Sequence, residues 1–141
     1  MIVLDTNVLS ALMQATPEPR VVAWLDAQPT ESVWTTSVTV FEIRFGLESM
    51  AQGKRQRTLR ETFLLALKED LGGRVLDFDL AAAEEAAALS ARLRAQGRPV
   101  EIRDVMIAGI VASRRGTLAT RNTKHFQESK LRLVNPWHEG E

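Results

Sequence analysis

The stretch Met1-Ile2-Val3-Leu4-Asp5-Thr6-Asn7-Val8-Leu9-Ser10-Ala11-Leu12-Met13 decides how this chain folds. Ile2, Val3 and Leu4 are apolar in succession, without the alternation of a half-exposed strand. Such a run reads as a strand buried on both faces. It stops at Asp5-Thr6-Asn7, residue types that turn a chain into a helix. Val8, Leu9, Leu12 and Met13 then recur at helical spacing. The unit is strand, turn, helix.

The same pattern repeats outward from that opening. Pro17 and Pro19 interrupt the first helix, and Val21, Val22, Trp24 and Leu25 carry a second one to about Gln28-Pro29. Residues 32–36 read as a strand and residues 37–50 as a helix, punctuated by Gly53. Residues 57–71 continue as a helix with Leu59, Phe63, Leu64 and Leu67 on one face. The pair, about 37–71, is expected to form a helical hairpin. Val75-Leu76, after Gly72-Gly73, is a short strand. Residues 80–96 form an Ala-rich helix stopped by Gly97. After Arg98-Pro99 a helix starts near Arg103-Asp104. Its segment 105–112 is apolar all round, so it belongs at the centre. Residues 117–120 and 131–134 are the last strands, with one helical turn at 123–126 between them. The alternation predicts an α/β fold: a single domain over residues 1–141, with a mainly parallel sheet of about four to five short strands flanked by helices.

Composition narrows the function. The chain has 18 Lys+Arg, 18 Asp+Glu and no Cys. Disulfide scaffolds, thiolate zinc sites and cysteine nucleophiles are excluded. Zero net charge argues against a protein that coats a polyanion, but not against an enzyme acting locally on one. The longest apolar stretch, 105–112, is far short of a membrane span. A cytoplasmic protein with no membrane association is expected.

In open α/β sheets ligands bind beyond the carboxyl ends of the strands. Asp5, Glu42, Asp104 and Asn122 all fall at strand-to-helix junctions, so they should crowd one edge. Each has a local alternative. Asp5, Asp104 and Asn122 suit helix caps, and Thr39-Val40-Phe41-Glu42 fits a capping box. Capping does not require acids at every junction, however. Three carboxylates at one buried edge raise one another's pKa values. A bound divalent cation removes that cost, and oxygen ligands point to Mg²⁺ or Mn²⁺. A phosphatase of the haloacid dehalogenase type needs Asp-x-Asp after the first strand, and here Asn7 stands there. Neither G-x-G-x-x-G nor a P-loop is present.

Several blocks, taken together and in order, resemble the PIN-domain ribonucleases. They are Met1 to Ser10, Thr36-Ser-Val-Thr-Val-Phe-Glu42-Ile-Arg-Phe-Gly46, Asp104 to Ala112, Ala119-Thr-Arg-Asn122-Thr-Lys-His-Phe126 and Leu133-Val-Asn-Pro136-Trp. Within that family they are most similar to the VapC/FitB-type toxins of bacterial toxin–antitoxin modules. The resemblance implies a PIN-like fold and a Mg²⁺- or Mn²⁺-dependent endoribonuclease, with water activated at the metal and products ending in 5′-phosphate and 3′-hydroxyl. It assigns Asp5, Glu42 and Asp104 to the metal and Thr120 to a hydroxyl that orients the site. The family often supplies a fourth acid where this chain has Asn122, or a few residues later, where it has His125. Asn122 can still ligate through its carbonyl oxygen, without charge. One firmly held ion is therefore expected in the free protein. His125 is open to two readings, a proton-transfer or phosphate contact and a polar residue on a surface turn.

Neutral overall, the chain is charged by segment. Residues 1–50 balance to −4, residues 51–75 to +3, residues 76–104 to −2 and residues 105–141 to +3. Arg103, Arg121 and Lys124 flank Asp104 and Asn122 and are the candidates for RNA phosphate. The resemblance also implies a small antitoxin as partner, and a homodimer or toxin–antitoxin hetero-oligomer. Phe41, Phe45, Leu47, Phe63 and Leu67 are mostly core in this reading, some of them open to a partner groove. A second functional reading keeps the fold and partner but not the activity: a weak or inactive subunit of an antitoxin-bound repressor complex.

Overall fold

Strand β1 (Ile2–Leu4) lies in the middle of a five-stranded sheet, as its apolar run requires. The computed structural model describes residues 1–98 and 100–138. Pro99 of the expected helix break and residues 139–141 of the expected domain lie outside them. The other strands are β2 (Val33–Thr36), β3 (Val75–Leu76), β4 (Thr117–Ala119) and β5 (Arg132–Val134). The order is β3-β2-β1-β4-β5, and every pairing is parallel. Around the sheet stand α1 (Thr6–Leu12), α2 (Pro19–Asp26), α3 (Ser37–Ser49), α4 (Lys54–Leu65), α5 (Leu80–Ala95), α6 (Ile102–Ser113) and the single turn α7 (Thr123–Phe126).

The sheet is covered on both sides. Val3 and Leu118 point into a core built with Val38, Ile107, Ile110 and Val111. Their neighbours Leu4 and Ala119 point the other way, to Val8, Leu9, Phe63 and Leu71. This is the two-residue alternation of a strand read on two buried faces. Helix α6, apolar all round, is buried along Val105 and Ile107–Val111. The Ala-rich α5 packs closely on it. A Cβ placed on Gly109 would lie 2.5 Å from the Ala82 carbonyl oxygen and 2.7 Å from the Ala86 Cβ. Glycine at 109 and alanines at 82 and 86 are what allow these two helices to approach.

Several boundaries differ from the sequence reading. Helix α4 begins at Lys54 rather than 57 and ends at Leu65. A π-helical turn, Ala66–Asp70, follows, closed by the Leu71 N–H donating to the Ala66 carbonyl at 3.0 Å. Helix α6 starts at Ile102 and is capped by Glu101, so Asp104 sits inside its first turn and is not its cap. Leu47 and Phe63 are core, but Phe41 and Phe45 are 57% and 60% exposed and stack on each other. Leu64 is also exposed, because it is one residue off the buried face that Phe63 marks. Among the described residues no helix is long and apolar enough to cross a membrane.

Candidate active site

The order β2-β1-β4 places the carboxyl ends of three neighbouring strands together, with the reversal of strand order between β1 and β4. Asp5 leaves β1 at that reversal and is almost fully buried, at 3% exposure. Burial would leave its oxygens without water, and local donors replace it. The Thr6 N–H donates to Oδ1 at 2.8 Å, the Thr120 hydroxyl to Oδ2 at 2.7 Å, and the Asn7 amide to Oδ2 at 3.2 Å. Asp5 therefore does cap α1, and it also faces the end of β4. Thr120, wholly buried, supplies its hydroxyl to Asp5 while receiving the Asn122 N–H at 3.1 Å.

Glu42 lies in the second turn of α3. The capping-box reading of Thr39 and Glu42 does not hold: Thr36 is the cap, accepting the Thr39 N–H, and Glu42 is too far along the helix to reach back. Its Oε1 instead accepts the Thr6 hydroxyl at 2.8 Å, and Thr6 meets the Thr39 hydroxyl at 3.0 Å. Thr6, Asn7 and Thr39 were not among the site residues expected from the sequence. The one signal for Thr6 was its place beside Asp5; its contact with Glu42 spans 36 residues, beyond any local pattern.

Asp104 projects from the first turn of α6, partly buried, with His125 Nδ1 at 3.3 Å from its Oδ2. His125, on the turn α7 and exposed, is thus brought beside Asp104. Burial pushes the Asp5 carboxyl above its ordinary range, the Thr120 and Thr6 donors oppose it, and the Asp104 charge adds to the rise. Burial also raises Asp104; the His125 contact opposes this, and Glu101 and Glu42 add to it by repulsion. Asp104 thus disfavours the ionised form of Asp5, and Glu42 that of Asp104.

The remaining candidates take different places. Arg103 is held by Glu101, with Nε at 3.0 Å, and lies 3.7 Å from Glu42 Oε2. Arg121 donates its N–H to Asn7 Oδ1 and stacks its guanidinium 4.8 Å from the Trp137 ring centre. Lys124 is exposed and lines a cavity of about 420 Å³ that also reaches Asp104, His125 and Val100. Asn122 is exposed, and its side chain does not cap α7.

The donor chemistry suits a hard divalent cation: carboxylates held by hydroxyls, with no sulfur among them. Among the described residues, no three His, Asp or Glu side chains converge ready to hold a metal. Glu42 is turned to Thr6 and Arg103, and Asp104 to His125. Holding an ion means exchanging Arg103 and His125 for it.

The chain matches the family model "PIN domain" over residues 2–130. It is 40% identical over 137 residues to the VapC ribonuclease Y4jK of Sinorhizobium fredii, covering 97% of this chain and 98% of that one. It is 36% identical to the toxin FitB of Neisseria gonorrhoeae, covering 99% and 100%. Among solved structures it superposes on a chain of FitAB bound to an IR36 DNA fragment with a TM-score of 0.90, 34% identity and coverage of 100% and 99%. The α/β sheet, its strand order and the ordered blocks at its carboxyl edge agree with these matches, and the chain belongs to the PIN-domain family, beside the VapC ribonucleases and the toxin FitB.

Proposed function

We propose that this protein is a Mg²⁺- or Mn²⁺-dependent endoribonuclease toxin, inhibited by a small antitoxin protein and working as one domain in the cytoplasm. The observation that carries the reading is Asp5: a carboxylate 3% exposed, at the strand-order reversal, oriented by Thr120 and repelled by Asp104. Nothing in the packing of β1 needs a charge there. The VapC ribonuclease relative supports RNA as substrate, and the FitAB–DNA structure supports a partnered, DNA-bound form.

Asp5, Glu42 and Asp104 would hold the ion, with Asn122 as an uncharged oxygen donor. A bound ion supplies activation of a water and neutralises charge on the phosphodiester. The chain's own groups do the rest. Thr120 and Thr6 fix the carboxylates of Asp5 and Glu42 so that neither rotates away from the edge. Arg103, released from Glu42, becomes available to an RNA phosphate. Lys124 and Arg121 lie on the same side, and Lys124 is exposed for phosphate contact.

A second reading, a weak or inactive subunit of an antitoxin-bound repressor complex, is favoured by one observation: the acids do not converge in the resting chain, and Asn122 adds no charge. Expression without the partner separates the two. The nuclease reading predicts growth arrest that Asp104→Asn abolishes, with cleaved RNA bearing 5′-phosphate ends. Growth unaffected by the wild-type chain at equal expression supports the inactive subunit.

A further inference from the structure

At the amino edge of the sheet, opposite the acids, the chain collects cations. The outer strand β5 begins at Arg132, which stands in register with Thr117, the first residue of β4. Arg115 and Gly116 lead into β4, and Lys130 and Leu131 lead into β5. With Ser129 these residues line a cavity of about 260 Å³. Arg115, Lys130 and Arg132 are all exposed.

Two features set these cations apart. Among the described residues no acid pairs with Arg115, Lys130 or Arg132, whereas the adjacent Arg114 reaches Asp79 at 3.4 Å. The second feature is the backbone. Arg115 (φ 54°) and Lys130 (φ 62°) are left-handed, the only residues other than glycine so placed among the described ones. Glycine takes that conformation freely, and a residue with a side chain resists it. Gly72, Gly73 and Gly97 occupy it elsewhere in this chain. At 115 and 130 the turn alone would favour glycine; a long cation stands there instead, and both cations line the same cavity. A cation also answers the dipole at the end of α6. That accounts for Arg115, but not for Arg132 on a strand or for Lys130 beyond a three-residue 3-10 turn.

Charge and position identify what fits. Leu131 is the one large apolar side chain lining the cavity, so an apolar segment finds little to hold. Guanidinium groups take phosphate oxygens two at a time, and an ammonium adds a point charge. The patch is also within reach of the carboxyl edge. From Thr117 to Thr120, whose hydroxyl holds Asp5, the chain advances roughly 10 Å at about 3.3 Å per residue. That is about three steps of a stacked nucleic-acid strand at about 3.4 Å each. One strand can therefore lie against Arg121 and Lys124, run outside β5 and arrive at the amino edge. We propose that Arg115, Lys130 and Arg132 form a second phosphate-binding patch, which holds the backbone of the RNA substrate a few nucleotides away from the bond at Asp5. The inference rests on the RNA-substrate reading above and deepens it.

The test measures binding of the full chain in EDTA to a fluorescent RNA hairpin long enough to cover both edges, to a DNA duplex of the same sequence and to an RNA dinucleotide. The double variant Arg115→Gly, Lys130→Gly suits the left-handed backbone at both positions, so it should fold as the wild type does. Its affinity for the hairpin should fall about tenfold or more, and its salt slope by about two units, one for each lost phosphate contact. Arg132→Glu should act in the same direction from the strand. Arg114→Ala, which removes the neighbouring paired cation, should change affinity by less than about twofold, as a rim charge does. Dinucleotide binding should be the same in all variants. Hairpin affinity and salt slope unchanged in the double variant overturn the proposal, and so does a failure of the wild type to bind the hairpin. A loss confined to the DNA duplex also overturns it, by giving the patch to DNA, and an equal loss with the dinucleotide does so by placing these residues at the carboxyl edge. A chain that binds through the patch but cuts no RNA when metal is supplied contradicts the nuclease reading alone; a chain that cuts RNA while the double variant binds as the wild type does contradicts the patch alone.

Discussion

The two halves of α6 are built to different ends. Its middle, around Gly109, lies against α5 so closely that a single added methyl would collide with the Ala82 carbonyl oxygen. The side chains packed around it, Ala82, Leu89, Ile107 and Ile110 among them, are apolar and buried. Its first turn carries Asp104, whose charge is raised in energy by burial, by Glu101 and by Glu42, and which in turn destabilises ionised Asp5. One half of the helix stabilises the fold; the other concentrates electrostatic cost at one edge of the sheet. Cost of that kind, in a chain otherwise packed for stability, is what a cation at the proposed site would relieve.

The contrast can be broken first at Thr120. Thr120→Val removes a buried hydroxyl donating to a carboxylate, an interaction worth about 1.5–3 kcal/mol. RNA cleavage should fall by roughly ten- to a hundredfold with little change in α5–α6 packing; unchanged cleavage would mean Asp5 needs no orientation. At the other end, Gly109→Ala overfills the helix contact, which costs about 1–3 kcal/mol in comparable cores. Its denaturation midpoint should drop, while cleavage by the folded fraction is retained.

Asp5→Asn should act in the opposite direction on stability. The Asp5 carboxyl has a raised pKa in the fold. A raised acid contributes its full stability below the unfolded pKa and loses it as pH rises through the folded one. At neutral pH in EDTA the wild-type chain therefore bears the cost of an ionised Asp5, and Asp5→Asn should melt higher. The gain should shrink below the carboxylate range, and also when Mn²⁺ at saturating concentration stabilises the wild type. Melting lower than wild type in EDTA at neutral pH would refute the account of Asp5. The smallest effect belongs to the cations. Lys124→Ala or Arg121→Ala should weaken RNA binding and reduce its salt slope by about one unit each; for Arg121 the loss of its stack on Trp137 should add a stability change that Lys124→Ala lacks.

Much of this was legible in the chain. Strands buried on both faces must be apolar without interruption, so Ile2–Leu4 and the all-apolar α6 declared themselves, and the alternation of strands and helices gave the parallel sheet. That Asp5, Glu42 and Asp104 gather at one edge was legible from their places at the strand-to-helix junctions of a parallel sheet. The hydroxyls that hold them were not, since Thr6 reaches Glu42 across 36 residues and no local spacing encodes that contact. Phe41 and Phe45 carry the helical period of core residues, yet they are exposed, because apolarity shows that a face seeks cover and not whether this chain supplies it. The π turn was hidden too: one residue's difference in hydrogen-bond spacing leaves no mark on a pattern of Leu and Ala.

The most direct measurement is cleavage of a structured RNA by the purified chain in Mg²⁺ or Mn²⁺, beside EDTA and beside Asp5→Asn and Asp104→Asn. The account predicts cleavage that requires the metal and is lost in both variants, each of which remains folded. Cleavage that persists in EDTA, or in both variants, would contradict it.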